Sequence, residues 1–200
     1  SSAASDVYKR QVLELDETFF SAYSKFSSIP SKNNALSPKI REFIYIAIDA
    51  STTHLYLPGL KLHMENALAL GATRDEIMEV LELTSVLGIH TCTLGVPILI
   101  EELRELGRGD EIDDIEYGEY EKRLKETFKK NRGYWSPFWD DMLKLSPEFF
   151  ECYLDFSSVP WVSGTLEPKV KEFIYIAIDT ATTHLHKEGA RIHILSLIHI

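Results

Sequence analysis

Apolar residues along the chain fall into segments of helical length, and no segment alternates strictly between apolar and polar residues as a half-buried strand would. Prolines and glycines separate these segments, because proline cannot continue a helix and glycine favours its end. The pattern therefore predicts an all-α protein. The boundary residues are Pro30, Pro38, Gly71, Gly88, Gly107, Pro137, Pro147, Pro160 and Pro168.

Local capping signals predict where several helices begin and end. Ser37 followed by Pro38 is typical of an N-cap and a first helical residue, and this helix is expected to continue to about Thr53. Gly71 suits the C-terminal cap of the next helix. Further helices are predicted over 59–70, after the capping box Thr73–Glu76, over 91–106, and over 120–130, where a charged face predicts a solvated outer helix.

The chain contains an internal repeat. Phe19–His63 aligns without gaps with Phe149–His193 at an offset of 130, and 24 of the 45 positions are identical. We interpret this as a tandem duplication whose second copy is incomplete. The predicted organisation is a first repeat over 12–106, an acidic linker over 107–118 and a truncated second repeat over 119–194.

Both ends of the chain have the pattern of a translated sequencing adapter. Codons for Ser5–Gln11 can be chosen so that their reverse complement encodes Leu195–Ile200 followed by a stop. Such segments are set aside before fold reasoning. We therefore expect residues 1–11 and 195–200 to be non-native. We also expect the apolar face of 173–178 to lack the helices that would cover it, and to promote association.

Charge and composition exclude some classes of partner. Asp and Glu outnumber Lys and Arg by 31 to 21, so the net charge of −10 disfavours nucleic acid and anionic membranes. Uninterrupted apolar runs are shorter than the ~20 residues of a membrane span. Two cysteines far apart, Cys92 and Cys152, are typical of a reducing cytoplasm.

Polar residues on an otherwise apolar helix are the candidate chemistry. Glu42, Asp49 and Thr53 fall within about 20° of one line at 100° per residue. Because buried carboxylates need partners, this stripe is expected to face a cavity or other polar groups. The candidate partners are the imidazoles of His54, His63 and His90. The second repeat carries the equivalents Glu172, Asp179, Thr183, His184 and His193.

Structural interpretations of these residues stay open. Glu42 and Asp49 could form packing ion pairs, His54 could cap a helix C-terminus, and His63 could be a core histidine. Three imidazoles and a carboxylate could also bind zinc, but the eight-residue gap between His54 and His63 fits no short zinc motif. We therefore predict no metal. His186 stands where the first repeat has Tyr56 and is interpreted as incidental.

Several sequence segments together resemble those of a known family. The run Leu62–Val80, followed by Leu87–His90 and Gly95–Pro97, resembles the carboxymuconolactone decarboxylase family, which has the alkyl-hydroperoxidase-D-like fold. The first repeat matches over about Leu36–Glu102. The resemblance implies a helical bundle that assembles into a homo-oligomer, a trimer or a hexamer, with its site near the helix that carries His63.

The family has a thiol-peroxidase branch and a decarboxylase branch. The thiol branch carries a CxxC pair, but the matching positions are Tyr56 and Gly59, or His54 and Leu57, and none is a thiol. The decarboxylase branch implies cofactor-free acid/base chemistry on a small carboxylated lactone or ring acid. On that basis His63 would be the acid/base, His90 would contact the carboxylate or oxyanion, Glu42 would orient an imidazole and His54 would assist.

Three functions from different classes therefore remain. A carboxy-lyase-like enzyme without a cofactor, acting on a small-molecule substrate, is the function we predict. A non-catalytic, oligomeric ligand-binding scaffold of the same fold is the alternative. A peroxiredoxin-type thiol enzyme is the least supported of the three, since CxxC is absent.

Overall fold

The computed structural model describes residues 10–11, 13–32 and 34–200, and within them all regular structure is helical. The predicted all-α class is confirmed. The predicted adapter segment 1–11 lies almost wholly outside the described residues. The helices are α1 Glu17–Ser27, α2 Ile29–Lys32, α3 Pro38–Ala50, α4 Leu57–Ala69, α5 Arg74–Val86, α6 His90–Glu105, α7 Asp110–Asp113, α8 Glu119–Arg132, α9 Phe138–Leu145, α10 Pro147–Val162, α11 Pro168–Thr180 and α12 Lys187–His199, with a 3₁₀ turn at Leu87–Ile89.

Most predicted helix boundaries agree with the structure. The Ser37 hydroxyl accepts the Ile40 N–H at the start of α3, and Thr73 and Glu76 form the reciprocal capping box of α5. Gly71 adopts φ +83° after α4, as its role as a terminator requires. Two boundaries were wrong. The helix α3 ends at Ala50 rather than near Thr53, and Pro160 lies inside α10 rather than between segments.

The core joins the two predicted repeats. Helices α3 and α5 of the first repeat pack against α11 of the second. Removing this much apolar surface from water is the main driving force of the fold. The fully buried side chains at this junction include Phe43, Ile46, Val80, Leu83, Ile174, Tyr175 and Ile178.

This packing overturns one expectation about the second repeat. The apolar face of 173–178 was expected to be uncovered, but Ile174, Tyr175 and Ile178 are buried against the first repeat. Exposed large apolar side chains occur instead on α1, where no residue is buried and Phe19 and Phe26 face outward, and also on other helices, such as Ile98 of α6. Association of the chain through exposed apolar side chains stays a prediction.

A second hydrophobic core lies between helices α8, α9 and α10. Helix α10 packs against α8 and α9, and Phe128 contacts Trp139 and Phe150 among its aromatic side chains. Helix α8 is amphipathic, because Leu124 and Phe128 are buried while most of its charged residues, with the exception of Arg132 at its end, lie on the outer face. The segment predicted as an acidic linker contains the short helix α7 and buries Ile112.

The stretch Arg74–Glu105, which comprises α5, the 3₁₀ turn and α6, contains a segment long and apolar enough to cross a membrane by length and composition alone. The core helix of a globular protein passes the same test. Val80, Leu83 and Ile100 are buried within the fold, which favours that second interpretation.

A buried carboxylate on α5 fastens the first repeat to the second. Glu79 accepts the backbone N–H groups of Thr165 and Leu166, and its Oε1 lies 2.9 Å from the buried Lys171 ammonium. Lys171 also donates a hydrogen bond to the backbone carbonyl of Pro160 near the end of α10, so this carbonyl has a partner as well. Buried charges persist only when paired in this way.

We expect Glu79→Ala to lower the free energy of unfolding by about 3–5 kcal/mol, because Lys171 would stay buried without its counter-charge. Chemical denaturation measured by circular dichroism checks this. Glu65→Ala is the control, since the exposed Glu65–Lys61 pair contributes below about 1 kcal/mol. Equal effects of the two substitutions would contradict the assigned role of Glu79.

Candidate active site

Each repeat contains a hydrogen-bonded Glu–His pair. The Nδ1 atom of His63 lies 2.7 Å from Glu42 Oε2, and the Nδ1 atom of His193 lies 2.7 Å from Glu172 Oε2. Glu42 and Glu172 lie on helices α3 and α11, which begin at Pro38 and Pro168. The two histidines lie on the helices that follow and pack against them, α4 and α12. The structure therefore brings these four predicted residues together as two equivalent pairs. A carboxylate on Nδ1 holds the proton there and leaves Nε2 for chemistry.

An aromatic ring supports the imidazole in both pairs. The ring centroids of Tyr45 and His63 lie 4.5 Å apart, and those of Tyr175 and His193 lie at the same separation. The two sites differ in exposure, however. The His63 side chain is 21% exposed, whereas that of His193 is 8% exposed. The second-repeat pair is therefore the better shielded from water, which strengthens its electrostatic interactions.

His193 lines a cavity of about 330 Å³ between the first and second repeats. The polar side chains that line it include Arg132 and the hydroxyl-bearing rings of Tyr134, Tyr153 and Tyr175. Its apolar walls come from both repeats and include Leu87, Ile89, Leu94, Phe138 and Ile192. A concave, mainly apolar pocket with a few convergent polar groups is typical of a small-molecule site.

Arg132 supplies the cation in this cavity. It is the last residue of α8, and its guanidinium donates to the Ser157 carbonyl at 3.1 Å and lies over the Trp161 ring. Burial opposes its charge, but negative charge nearby, including that of Glu172, raises the pKa of Arg132 above its ordinary value. Arg132 was not predicted as a site residue, because the charged pattern of its helix indicated a solvated outer element.

The three tyrosines around Arg132 retain their protons. Burial raises the pKa of Tyr134, of Tyr153 and of Tyr175. Each is therefore a neutral hydroxyl donor at physiological pH. Tyr175 was interpreted from the sequence as a plain core aromatic, and its ring is fully buried, but it also forms part of the cavity wall.

His90 contacts second-repeat residues. Its Nδ1 lies 2.7 Å from Nε2 of His184 and 3.4 Å from Oδ1 of Asp179, and its ring stacks on His186 at 3.7 Å. Burial, together with the neighbouring histidines, lowers the pKa of His90 to about 3, and burial raises the pKa of Asp179 to about 7. The predicted second-repeat residues His184 and Asp179 are thus joined by a first-repeat histidine.

His186 is part of this cluster, although the sequence suggested that it was incidental. Its Nδ1 accepts the Gly189 N–H at the start of α12, and its Nε2 lies 3.1 Å from the Thr93 hydroxyl. It is buried and lines the cavity. The only signal in the sequence was the difference from Tyr56 at the equivalent position of the first repeat.

The remaining predicted residues of the first repeat lie at the end of α3. His54 Nε2 lies 3.5 Å from Asp49 Oδ1, an arrangement equivalent to that of His184 and Asp179. Burial raises the pKa of Asp49, while His63 and His54 oppose the shift. Thr53 lies beyond the helix and is exposed, so it does not extend the polar stripe as predicted.

The cations that lie near this site in sequence are engaged elsewhere. Lys39 pairs with Glu76 at 2.9 Å, and Arg41 donates to the Leu36 carbonyl. Lys61 is exposed beside Glu65. Arg132 is therefore the cation that the described fold brings to the cavity.

Gly189 permits the close packing of α12 against the Asp179 cluster. A Cβ atom at this position would collide with Asp179 Oδ2 and His186 Nδ1. We expect Gly189→Ala to lower the free energy of unfolding by about 1–3 kcal/mol. Thermal denaturation checks this, with Gly88→Ala as the control, because a Cβ there meets nothing within 4 Å and the change should stay within about 0.5 kcal/mol. A neutral Gly189→Ala variant would contradict the packing argument.

Comparisons with known proteins identify the family. The model of the carboxymuconolactone decarboxylase family matches residues 17–88. A crystal structure from Burkholderia xenovorans LB400, which carries the provisional name of a gamma-carboxymuconolactone decarboxylase subunit, is 45% identical with a TM-score of 0.91, over 100% of this chain and 78% of that one. No curated protein matches. The fold and this identity together place the chain in the carboxymuconolactone decarboxylase family.

Proposed function

We propose that the protein catalyses cofactor-free decarboxylation or isomerisation of a small carboxylated lactone or ring acid in the second-repeat cavity. The observation that carries this proposal is the buried Glu172–His193 pair on the wall of a cavity that also holds the Arg132 cation. Family membership and the provisional name of the Burkholderia protein support the reaction class. His63 and Glu42 form a second, more open copy of the same pair.

Arg132 is the proposed anchor for the substrate. A guanidinium presents paired N–H donors that match a carboxylate, and this interaction is stronger where water is excluded. The cavity volume of about 330 Å³ suits a single small ring. This local cation also explains how a chain with a net charge of −10 could attract an anionic substrate.

His193 is the proposed acid/base. Loss of carbon dioxide breaks a carbon–carbon bond and leaves its electron pair on the lactone as an enolate. The neutral hydroxyls of Tyr134 and Tyr153 are suitable donors for the enolate oxygen. The imidazolium of His193 would then deliver a proton from Nε2 to the ring carbon, and Glu172 would hold the ring in place through Nδ1.

The alternative is a non-catalytic ligand-binding scaffold of the same fold. It is favoured by the histidines whose ring nitrogens meet other protein groups, namely His90, His184 and His186. The pairing of His193 with a glutamate beside an arginine favours catalysis instead. Turnover and its loss on substitution separate the two functions.

We expect His193→Ala to reduce kcat on a supplied carboxylated lactone by at least about 100-fold, because the proton donor is removed. Glu172→Gln should give a smaller loss, since it affects only the orientation of the ring. His63→Ala is the matched comparison in the first repeat, with an expected loss below about tenfold. A greater loss in His63→Ala than in His193→Ala would place the reaction in the first repeat.

We expect Arg132→Ala to raise KM for an anionic substrate by at least about tenfold, while Arg132→Lys should recover part of this loss. Steady-state kinetics measure both values. Arg123→Ala is the control, since Arg123 lies on the same helix with an exposed side chain. An unchanged KM in Arg132→Ala would exclude Arg132 as the anchor.

A further inference from the structure

We propose that His90, His184 and Asp179 bind one divalent transition-metal ion, with zinc as the expected occupant. The three side chains converge from separate parts of the chain: His90 begins α6, Asp179 lies near the end of α11, and His184 lies in the turn before α12. Two imidazoles and a carboxylate are ligands that zinc prefers.

The separations between the three donor atoms suit one ion. His90 Nδ1 lies 2.7 Å from His184 Nε2 and 3.4 Å from Asp179 Oδ1, and His184 Nε2 lies 3.7 Å from the same oxygen. Ligands placed tetrahedrally at zinc bond lengths of about 2.0–2.1 Å lie about 3.3 Å apart. Binding therefore requires the two imidazole nitrogens to separate by about 0.6 Å and His184 Nε2 to approach Asp179 Oδ1 by about 0.4 Å.

The carboxylate of Asp179 is an independent sign of a missing partner. Its side chain is fully buried, and among the described residues neither carboxylate oxygen accepts a hydrogen bond. A buried, unsatisfied carboxylate is costly in an apolar environment. A divalent cation between Asp179 and the two imidazoles would satisfy this carboxylate and neutralise its charge.

Neighbouring groups hold the ligands in place and leave room for a fourth one. The ring of His186 stacks on His90 with an interplanar angle of 13°, which fixes the imidazole orientation. A cavity of about 100 Å³ reaches His90 and His184 and is lined by the hydroxyl side chains of Ser51, Thr84 and Thr91. A cavity of this size can hold water, which is the usual fourth ligand of a three-residue zinc site.

The first repeat contains the same aspartate–histidine pair without the third ligand. Asp49 and His54 lie 3.5 Å apart, compared with 3.7 Å for Asp179 and His184. In the second repeat the third ligand is His90, because the start of α6 packs against Asp179 and His184. The metal would thus clamp α6 to the turn between α11 and α12.

The proposed metal ligands are separate from the proposed proton-transfer groups, although His90 also lines the cavity that holds Arg132. The acid/base His193 and its partner Glu172 are not ligands, and neither is Arg132. A protein that binds zinc without turnover, or turns over lactone without zinc, would therefore separate the two proposals.

Metal content tests the site directly. The tag-free chain, stripped with a chelator and then dialysed against micromolar zinc chloride, should retain about one zinc ion per chain by atomic emission. His184→Ala and Asp179→Asn should each weaken zinc binding by at least about 100-fold. In the unsubstituted chain, cobalt should give the visible absorption of a four-coordinate ion, a readout that needs no variant to fold.

The first repeat provides matched controls. His54→Ala and Asp49→Asn remove the equivalent pair and should leave zinc binding unchanged, as should Cys92→Ser, which removes the thiol closest in sequence to His90. Retention of less than about 0.1 zinc per unsubstituted chain would overturn the proposal. Equal losses of zinc binding in the first-repeat and second-repeat variants would also overturn the proposal, because the effect would then not be specific to His90, His184 and Asp179.

Discussion

The packing of α11 against α3 and α5 is the interaction on which the rest of the structure depends. It buries Ile174, Tyr175 and Ile178, and the same helix carries Glu172 and Asp179 into an environment with little water. Carboxylates on a core helix need partners, and the neighbouring elements supply them differently. Glu172 pairs with the histidine of the following helix, while Asp179 meets two histidines and no hydrogen-bond donor of the described chain.

The two repeats have the same local contacts but different surroundings. Both Glu–His pairs have the same 2.7 Å separation, so the local sequence is sufficient to form them. The second pair is more deeply buried, because α6, α8 and α9 contribute to the walls of the cavity beside His193. Burial strengthens charge interactions there, since fewer water dipoles screen them. The enclosed pair is therefore the better candidate for proton transfer.

The histidines at the junction with the second repeat form two neighbouring groups. His193 is oriented by a glutamate and faces the cavity that contains Arg132. His90 and His184 face the Asp179 carboxylate, and His186 stacks behind them. One imidazole beside a general acid/base site and three around a buried carboxylate have different chemistry. The first arrangement suits proton transfer, whereas the second suits a bound cation.

The amino-acid sequence by itself determined the helical class, most helix boundaries and the candidate residues of the Glu–His pairs, because capping residues, helical periodicity and the internal repeat are local signals. Which imidazole each glutamate would meet was left open and was decided by how the helices pack. Tertiary structure decided which histidines meet. His90 was grouped with the first repeat because of its position in the chain, but α6 carries it to Asp179 and His184. Arg132 reaches the cavity only because α8 packs on α10. Such long-range contacts depend on how whole helices pack, and spacing along the chain does not encode them.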